Sequence, residues 1–264
     1  MSSEPMNLAA VVVLYEQKLK DSSSYKSLLQ HSDIPVFVYD NSPQPQEVEE
    51  DKMVYRHNPS NPGVSKAYNE AIQWAGKNNS THLLLLDSDS EFSENALEKY
   101  REAIQQHPEK IILPEVRSSG HKISPFYFKR GKSYYGDDIS YGTIELGKIA
   151  GINSGTIVPI KAIQHNFNEN LPLDWSDIYF FRSNRKVKAI HIPLLVQHSL
   201  SEHEKQSLES AKFRFKTYLS GISKVADTPF EKWLMIFRAK LKSVKLSLRY
   251  RTIWFFSYFL KNVL

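Results

Sequence analysis

The sequence predicts an α/β fold, a mostly parallel β-sheet flanked by helices, with a C-terminal helical extension. Three observations predict it. Leu83-Leu84-Leu85-Leu86 is an unbroken apolar run of strand length, as expected for a strand buried on both faces of a parallel sheet. Asp87-Ser88-Asp89 follows directly, so two carboxylates leave the strand's carboxyl end on one face, because strand periodicity is two. From residue 9 to residue 113, apolar β-rich runs alternate with amphipathic ones, the order of parallel strands joined by helical crossovers.

The elements follow in chain order. Residues 9–14 (Ala-Ala-Val-Val-Val-Leu) form a first buried strand and residues 21–30 a first helix. Residues 34–39 form a second strand ending at the turn signal Asp40-Asn41-Ser42-Pro43; residues 44–52 are polar loop and residues 53–56 a short third strand. Asn61-Pro62-Gly63 opens a helix whose Val64, Ala67, Ala71, Ile72 and Ala75 recur at helical spacing. After the leucine strand, Ser93 caps the next helix, with Glu94 in its first turn. Residues 111–113 form a further short strand. Between residues 117 and 148, Gly120, Gly131, Gly136, Gly142 and Gly147 punctuate a Tyr- and Phe-rich stretch, predicted to be a mobile, loop-rich substrate region. Regular structure resumes at residues 155–160 and 187–196, and a helix over 204–219 carries Leu208, Ala211, Phe215, Tyr218 and Leu219 on one face. Residues 1–227 form the catalytic domain in this reading and residues 228–264 a basic amphipathic tail.

Composition narrows the function. A chain of 264 residues, 41% hydrophobic and 12% aromatic, holds one sizeable α/β domain and an appendage. It has no cysteine, which excludes disulfides, zinc fingers and thiol chemistry. Met1-Ser2-Ser3-Glu4-Pro5 lacks a basic leader, and no stretch reaches the ~20 apolar residues that cross a bilayer, so a cytoplasmic protein is expected. The net charge of +5 is uneven: residues 230–264 hold eight Lys/Arg against Glu231 alone, a local +7 that leaves the rest at −2.

Two adjacent carboxylates at a sheet edge repel unless a cation lies between them. Mg²⁺ suits such a pair, because it takes one or two carboxylates and completes its shell with water and phosphate oxygens. The carboxyl edge of an open α/β sheet is also where ligands bind. The plainer readings are an ordinary turn for Asp87-Ser88-Asp89, an Asx turn for Asp40, a simple helix start at Asn61 and Gly63, and a surface cap for Asp174 and Asp177.

Taken together, Val38-Tyr39-Asp40-Asn41-Ser42, Asn61-Pro62-Gly63 with Ala67 and Asn69, Asp87-Ser88-Asp89, and Leu173-Asp174-Trp175-Ser176-Asp177 resemble, in order and spacing, the family 2 glycosyltransferases. The nearest flavour is that of bacterial rhamnosyltransferase-like enzymes of polysaccharide biosynthesis, over residues 8–201. The resemblance implies the GT-A (Rossmann-like) fold and an inverting transfer of a sugar from a UDP- or dTDP-linked donor to a glycan hydroxyl. It places Leu14, Tyr15 and Glu16 beside the nucleobase, with Tyr15 able to stack. Asp40 then contacts base or ribose, and Asn61, Gly63 and Ser88 lie near the nucleotide. Asp87 and Asp89 hold Mg²⁺ or Mn²⁺ on the diphosphate, and His198 closes that site. Asp177 is the base with Asp174 supporting; Tyr179 stands where relatives carry a second acid, so the choice between the two stays open. Lys129, Arg130 and Lys132 are further candidates to neutralise phosphate charge.

In the tail, Phe230, Trp233, Leu234, Phe237, Leu241, Val244 and Leu248 form a helical stripe bordered by Arg238, Lys242, Lys245 and Arg249. That pattern fits a helix lying in an anionic membrane interface, with Ile253-Trp254-Phe255-Phe256 and Tyr258-Phe259-Leu260 inserting shallowly. The alternative is packing on the catalytic domain or a partner subunit. A lipid-linked acceptor at the cytoplasmic face of the inner membrane fits the membrane reading, whereas nothing resembles a nucleic-acid module. Two rivals remain: a sugar-nucleotide nucleotidyltransferase, disfavoured because Tyr15-Glu16-Gln17-Lys18 has no glycine, and a catalytically inactive membrane adaptor.

Overall fold

A computed structural model describes residues 6–30, 32–48, 53–199 and 207–263. Met1 to Pro5, part of the 44–52 loop and the start of the helix expected from Glu204 lie outside the described residues. The main sheet runs β10-β13-β6-β12-β4-β1-β2-β3, with β5 added on β13 and β7 on β6. The strands are β1 Leu8–Leu14, β2 Val36–Asp40, β3 Met53–His57, β4 His82–Asp87, β5 Ser90–Phe92, β6 Ile111–Ser118, β7 His121–Ser124, β10 Gly142–Ile144, β12 Ile157–Pro159 and β13 Ala189–His198. A second sheet, β11-β8-β9, is built from β8 Phe126–Lys129, β9 Lys132–Tyr134 and β11 Ile149–Ala150. The helices are α1 Val64–Lys77, α2 Ala96–Gln106, α3 Ser176–Ser183, α4 Leu208–Val225, α5 Pro229–Arg249 and α6 Trp254–Val263.

The run β3-β2-β1-β4 is parallel throughout, and β6 is parallel to β13; β12, β5, β7 and β10 pair antiparallel. Alternation along β1 explains why it is apolar at every position. Ala9, Val11 and Val13 pack toward α1, while Ala10, Val12 and Leu14 pack into the layer that contains Leu28, Leu29 and the α2 residues Tyr100 and Ile104. The leucine strand β4 divides in the same way, Leu83 and Leu85 on one face and Leu84 and Leu86 on the other.

Four local expectations change. The segment expected as a first helix over 21–30 is a 3₁₀ turn, Leu19–Asp21, followed by a π-helical turn, Tyr25–Leu29. Serine hydroxyls compete here with helical hydrogen bonding: Ser22 Oγ accepts from the Tyr25 N–H, and Ser22 and Ser24 reach across to the 87–90 backbone. Ser93 does not cap α2; Asn95 holds the cap position without a side-chain bond, and the Ser93 carbonyl accepts from Ala96 N–H. The 117–148 segment is a set of antiparallel hairpins rather than loop, because Phe126 and Phe128 point into the core while Lys129 and Lys132 face solvent. In the tail, Phe255 and Phe259 of α6 are buried, with Phe255 5.6 Å from the Phe215 ring of α4, so these two do not insert elsewhere.

Candidate functional site

Register brings three strand ends to one edge: Val13 pairs with Asp87 and Leu14 with Asp40, so β1, β2 and β4 finish together. Beyond β1 the chain turns at Glu16, with φ +51°, and leaves Tyr15 53% exposed. A clip holds the β1 and β2 ends: Asn41 N–H donates to Leu14 O at 2.9 Å and Glu16 N–H to Ser42 Oγ at 2.8 Å. The Leu14 side chain is core.

Asp40 is wholly buried, and both of its oxygens are taken. Ser42 N–H donates to one at 2.9 Å, while Gln46 Nε2 and Tyr55 OH each donate to the other at 2.8 Å. Burial raises its pKa, but these donors outweigh that and hold the carboxyl below the usual carboxylate range. Asp40 therefore fixes the turn at the β2 end and presents no oxygen to solvent.

Asp87, Asp89 and His198 converge, with one ligand atom from each within 4.8 Å of the others. The β5–β13 pairing does this by setting His198 opposite Ser90. His198 Nδ1 lies 2.9 Å from Ser90 Oγ and 3.3 Å from Asp89 Oδ1. Serines grip the 87–90 turn from below. Ser154 Oγ accepts from Asp87 N–H at 3.0 Å and bonds Ser90 Oγ at 2.7 Å, while Ser22 Oγ and Ser23 N–H donate to Ser88 O. The Ser88 carbonyl is thus spent on the scaffold. A cleft of about 320 Å³ opens beside the triad, lined in part by Asp89, Ser118, Gln197 and His198.

The second acid pair hangs on α1. Gly63, at φ +90°, lies so close to Pro172 that a Cβ there would stand 2.1 Å from the Pro172 oxygen, and Val64 N–H donates to that oxygen at 2.8 Å. Ser65 Oγ donates to Leu171 O at 2.6 Å and bonds Ser176 Oγ at 2.8 Å; Asn69 holds both the N–H and the carbonyl of Phe167. Trp175, at φ +70°, ends this loop, its indole N–H on Tyr218 O at 2.9 Å. Asp174 accepts from Thr217 Oγ1 at 2.6 Å, and Asp177 sits in the first turn of α3.

The two acid sets share a field. Burial, then Asp174 and Asp87, push the half-buried Asp177 carboxyl up to about 6, against the opposing pull of the Ile178 N–H. Tyr68 of α1 is fully buried, donates to Asp87 Oδ1 at 2.8 Å, and is held well above the ordinary phenol value by burial and by Asp87, Asp89 and Asp177. Sequence reasoning missed Tyr68, Ser65, Ser90, Ser154 and Thr217. The spacing of Ser65 and Tyr68 beside Asn69 on one side of α1, next to an apolar stripe, was the available signal for two of them. Asn61, at φ +46°, sits in the turn before Gly63, its N–H on Asn58 O. Lys129, Arg130 and Lys132 lie at the tip of the β8–β9 hairpin, which is fastened to α5 by Gly131 N–H donating to Glu231 and by Arg238 donating to Arg130 O.

A mostly parallel α/β sheet with acids gathered at its carboxyl edge and a C-terminal helical part is the GT-A, Rossmann-like architecture of glycosyltransferases. The family model for glycosyl transferase family 2 matches residues 24–189, more than half of the chain. The chain belongs to that family. No curated protein matches the sequence. Among solved structures, GalNAc-T7 with UDP, GalNAc and Mn²⁺ superposes with a TM-score of 0.62 at 10% identity, covering 98% of this chain and 56% of that one. TarS from S. aureus gives 0.51 at 15% identity over 92% and 44%. TarS 1-349 with UDP-GlcNAc gives 0.52 at 15% identity over 92% and 73%. The chain thus spans about half the length of GalNAc-T7 and of the longer TarS.

Proposed function

We propose that this enzyme moves a hexose or deoxyhexose from a uridine or thymidine diphosphate to a hydroxyl of a growing, lipid-linked surface glycan. In this reading the transfer is a single inverting displacement, and it takes place at the cytoplasmic face of the inner membrane. The observation that carries it is the convergence of Asp87, Asp89 and His198 at the sheet edge, with Asp177 of α3 near enough for Asp87 to act on its raised pKa. The nucleotide-sugar part draws support from the solved relatives bound to UDP and UDP-GlcNAc.

Two carboxylates and an imidazole form a hard donor set with one nitrogen, which fits Mg²⁺ or Mn²⁺. A divalent cation held there supplies charge neutralisation for the departing diphosphate. Asp177 takes the acceptor hydroxyl's proton as the oxygen bonds the anomeric carbon and the carbon–diphosphate bond breaks. General-base help of this kind is worth ~10²–10⁴-fold, and a base near pKa 6 is neutral or ionised within the working range. Asp174, tied to Thr217, supports the loop. Tyr15 stacks on the nucleobase beside Glu16, Asn61 and Gly63 line the nucleotide, and Leu14, Asp40 and Ser88 shape the backbone around it.

A panel of nucleoside diphosphate sugars assayed for metal-dependent hydrolysis and transfer tests this. One or more donors should turn over with Mn²⁺ or Mg²⁺ and stop with EDTA. Activity indifferent to EDTA overturns the Asp87/Asp89 role, and no turnover of any donor favours the inactive adaptor.

A further inference from the structure

The packing of α5 is inverted relative to an ordinary surface helix. Its buried line is Glu231, Met235, Ala239 and Ser243, short or polar apart from the methionine. Six of its large apolar residues face away, Phe230, Trp233, Phe237, Leu241, Val244 and Leu248 being exposed (Trp233 at 59% and Leu248 at 75%), while Ile236 and Leu246 pack partly against the core. A globular helix buries its apolar stripe, so a stripe turned outward over about five turns marks a surface meant to meet something. The first three rings already order one another, with centroids 6.2 Å (Phe230–Trp233) and 6.0 Å (Trp233–Phe237) apart and nearly parallel planes.

The orientation is enforced. Glu231 accepts two hydrogen bonds from Arg182, at 2.8 and 2.9 Å, and one from Gly131 N–H at 2.7 Å; both charged partners are about nine-tenths buried. Arg182 also donates to Val225 O. A Cβ on Gly131 would meet Met235 at 2.0 Å, so the hairpin tip lies flush on the helix. Rolling α5 to hide the aromatic stripe would break this buried pair, which is strongly destabilising when one partner is left alone.

We infer that the outward face of α5, together with the tip of the β8–β9 hairpin, is a docking surface for an anionic lipid bilayer. Charge selects the occupant. Lys240 borders the stripe on one side and Lys245 and Arg249 on the other, all exposed, and the hairpin adds exposed Lys129, Arg130 and Lys132. A second copy pairing through the same stripe would bring those basic rows together, and like charges opposed cost association. A bilayer with anionic headgroups satisfies both features, taking the rings at the headgroup boundary and the Lys/Arg on the phosphates. No helix among the described residues is long and apolar enough to cross a membrane, so the contact is peripheral. The inference deepens the proposed function by supplying the surface that meets a lipid-linked acceptor. The link to the acid loop is short: Lys242 Nζ lies 4.0 Å over the Tyr218 ring, and Tyr218 packs at 5.0 Å on Trp175, next to Asp174.

Co-sedimentation of the full chain with phosphatidylcholine vesicles, with and without phosphatidylglycerol, tests it. The protein should sediment only with the anionic vesicles. Lys240→Gln with Lys245→Gln should lower partitioning about 30-fold, since each basic residue contributes ~1 kcal/mol near an anionic surface. Trp233→Gln with Phe237→Gln should lower it at unchanged charge, and circular dichroism should show all variants folded. Donor hydrolysis is read on the same samples and should not change in either variant. Vesicle binding that ignores both double variants overturns the docking surface. So does a wild-type dimer that Trp233→Gln dissociates while vesicles leave it untouched. Lost donor turnover with intact vesicle binding strikes the catalytic reading and spares this one.

Discussion

The two acid pairs of this enzyme are held in opposite ways. Asp87 and Asp89 stand at the end of a strand buried on both faces, and their turn is gripped by serine hydroxyls and backbone groups from three neighbouring segments. Asp174 rides on a loop with little regular structure of its own and Asp177 on the first turn of α3 that follows it, the two suspended from α1 by Gly63, Ser65 and Asn69 and from α4 by Thr217 and Tyr218. The difference separates tasks. A cation site needs fixed ligand geometry, which a sheet edge gives cheaply. The proposed base, Asp177, has its pKa raised first by burial and then by the field of Asp174 and Asp87, and the contacts to α1 and α4 clamp that region against the repulsion.

Removing the proposed base is the sharpest way to break the comparison. Asp177→Asn should lower kcat by ~10²–10⁴-fold with donor KM little changed. The pH profile identifies the group: kcat/KM of the wild type should climb with pH to a plateau above about 6, as the carboxyl loses its proton, and the climb should vanish in the variant. The folded state binds the Asp177 proton more tightly than the unfolded chain, between the ordinary 3.8 and about 6, so stability falls as pH rises through that window. Asp177→Asn should therefore melt higher than wild type at pH 7. A melting point that drops, or a pH profile that survives, removes the assignment.

The clamp comes next. Gly63→Ala combines a positive φ with a Cβ placed 2.1 Å from the Pro172 oxygen, and the atoms it meets are backbone, which cannot swing aside. The cost should be on the order of 3 kcal/mol, as for strained or overpacked positions, and it should fall on the acid loop. Transfer should fail while Mn²⁺ titration still finds the Asp87 site. Equal loss of both would mean that the two pairs are one mechanical unit.

Legibility in the sequence follows the same division. Four leucines and a following Asp-Ser-Asp announce Asp87 and Asp89, because strand burial and strand periodicity are local properties. Asp177 needed a whole ordered set of motifs, since an acid in the first turn of a short helix reads the same as an ordinary cap. His198 depended on an antiparallel pairing between β5 and β13, segments more than a hundred residues apart, which spacing does not encode. Asp40 looked like a ligand and is instead consumed by Ser42, Gln46 and Tyr55, the Asx-turn alternative. On α5 the stripe was plain but its direction was not: the buried line holds the Glu231–Arg182 ion pair and Met235 against the hairpin tip, partners that lie far away in the sequence.

Tyr68 joins the two pairs, and it carries the smallest of these effects. Its hydroxyl donates to Asp87 at 2.8 Å while its ring packs 5.0 Å from Phe167, a residue of the suspended loop. Burial and the surrounding acids keep the phenol protonated, so it remains a donor at any working pH. Tyr68→Phe keeps the ring contact and deletes only the donor. Partners that orient a metal ligand are worth about 10–100-fold in metal affinity, and Asp87 retains partial exposure through which water can replace the lost bond. Mn²⁺ affinity by calorimetry should weaken about tenfold, with the melting temperature nearly constant and the pH profile of Asp177 kept. An unchanged Mn²⁺ affinity would show that Asp87 is positioned by its strand alone, and that Tyr68 serves only as packing between helix and loop.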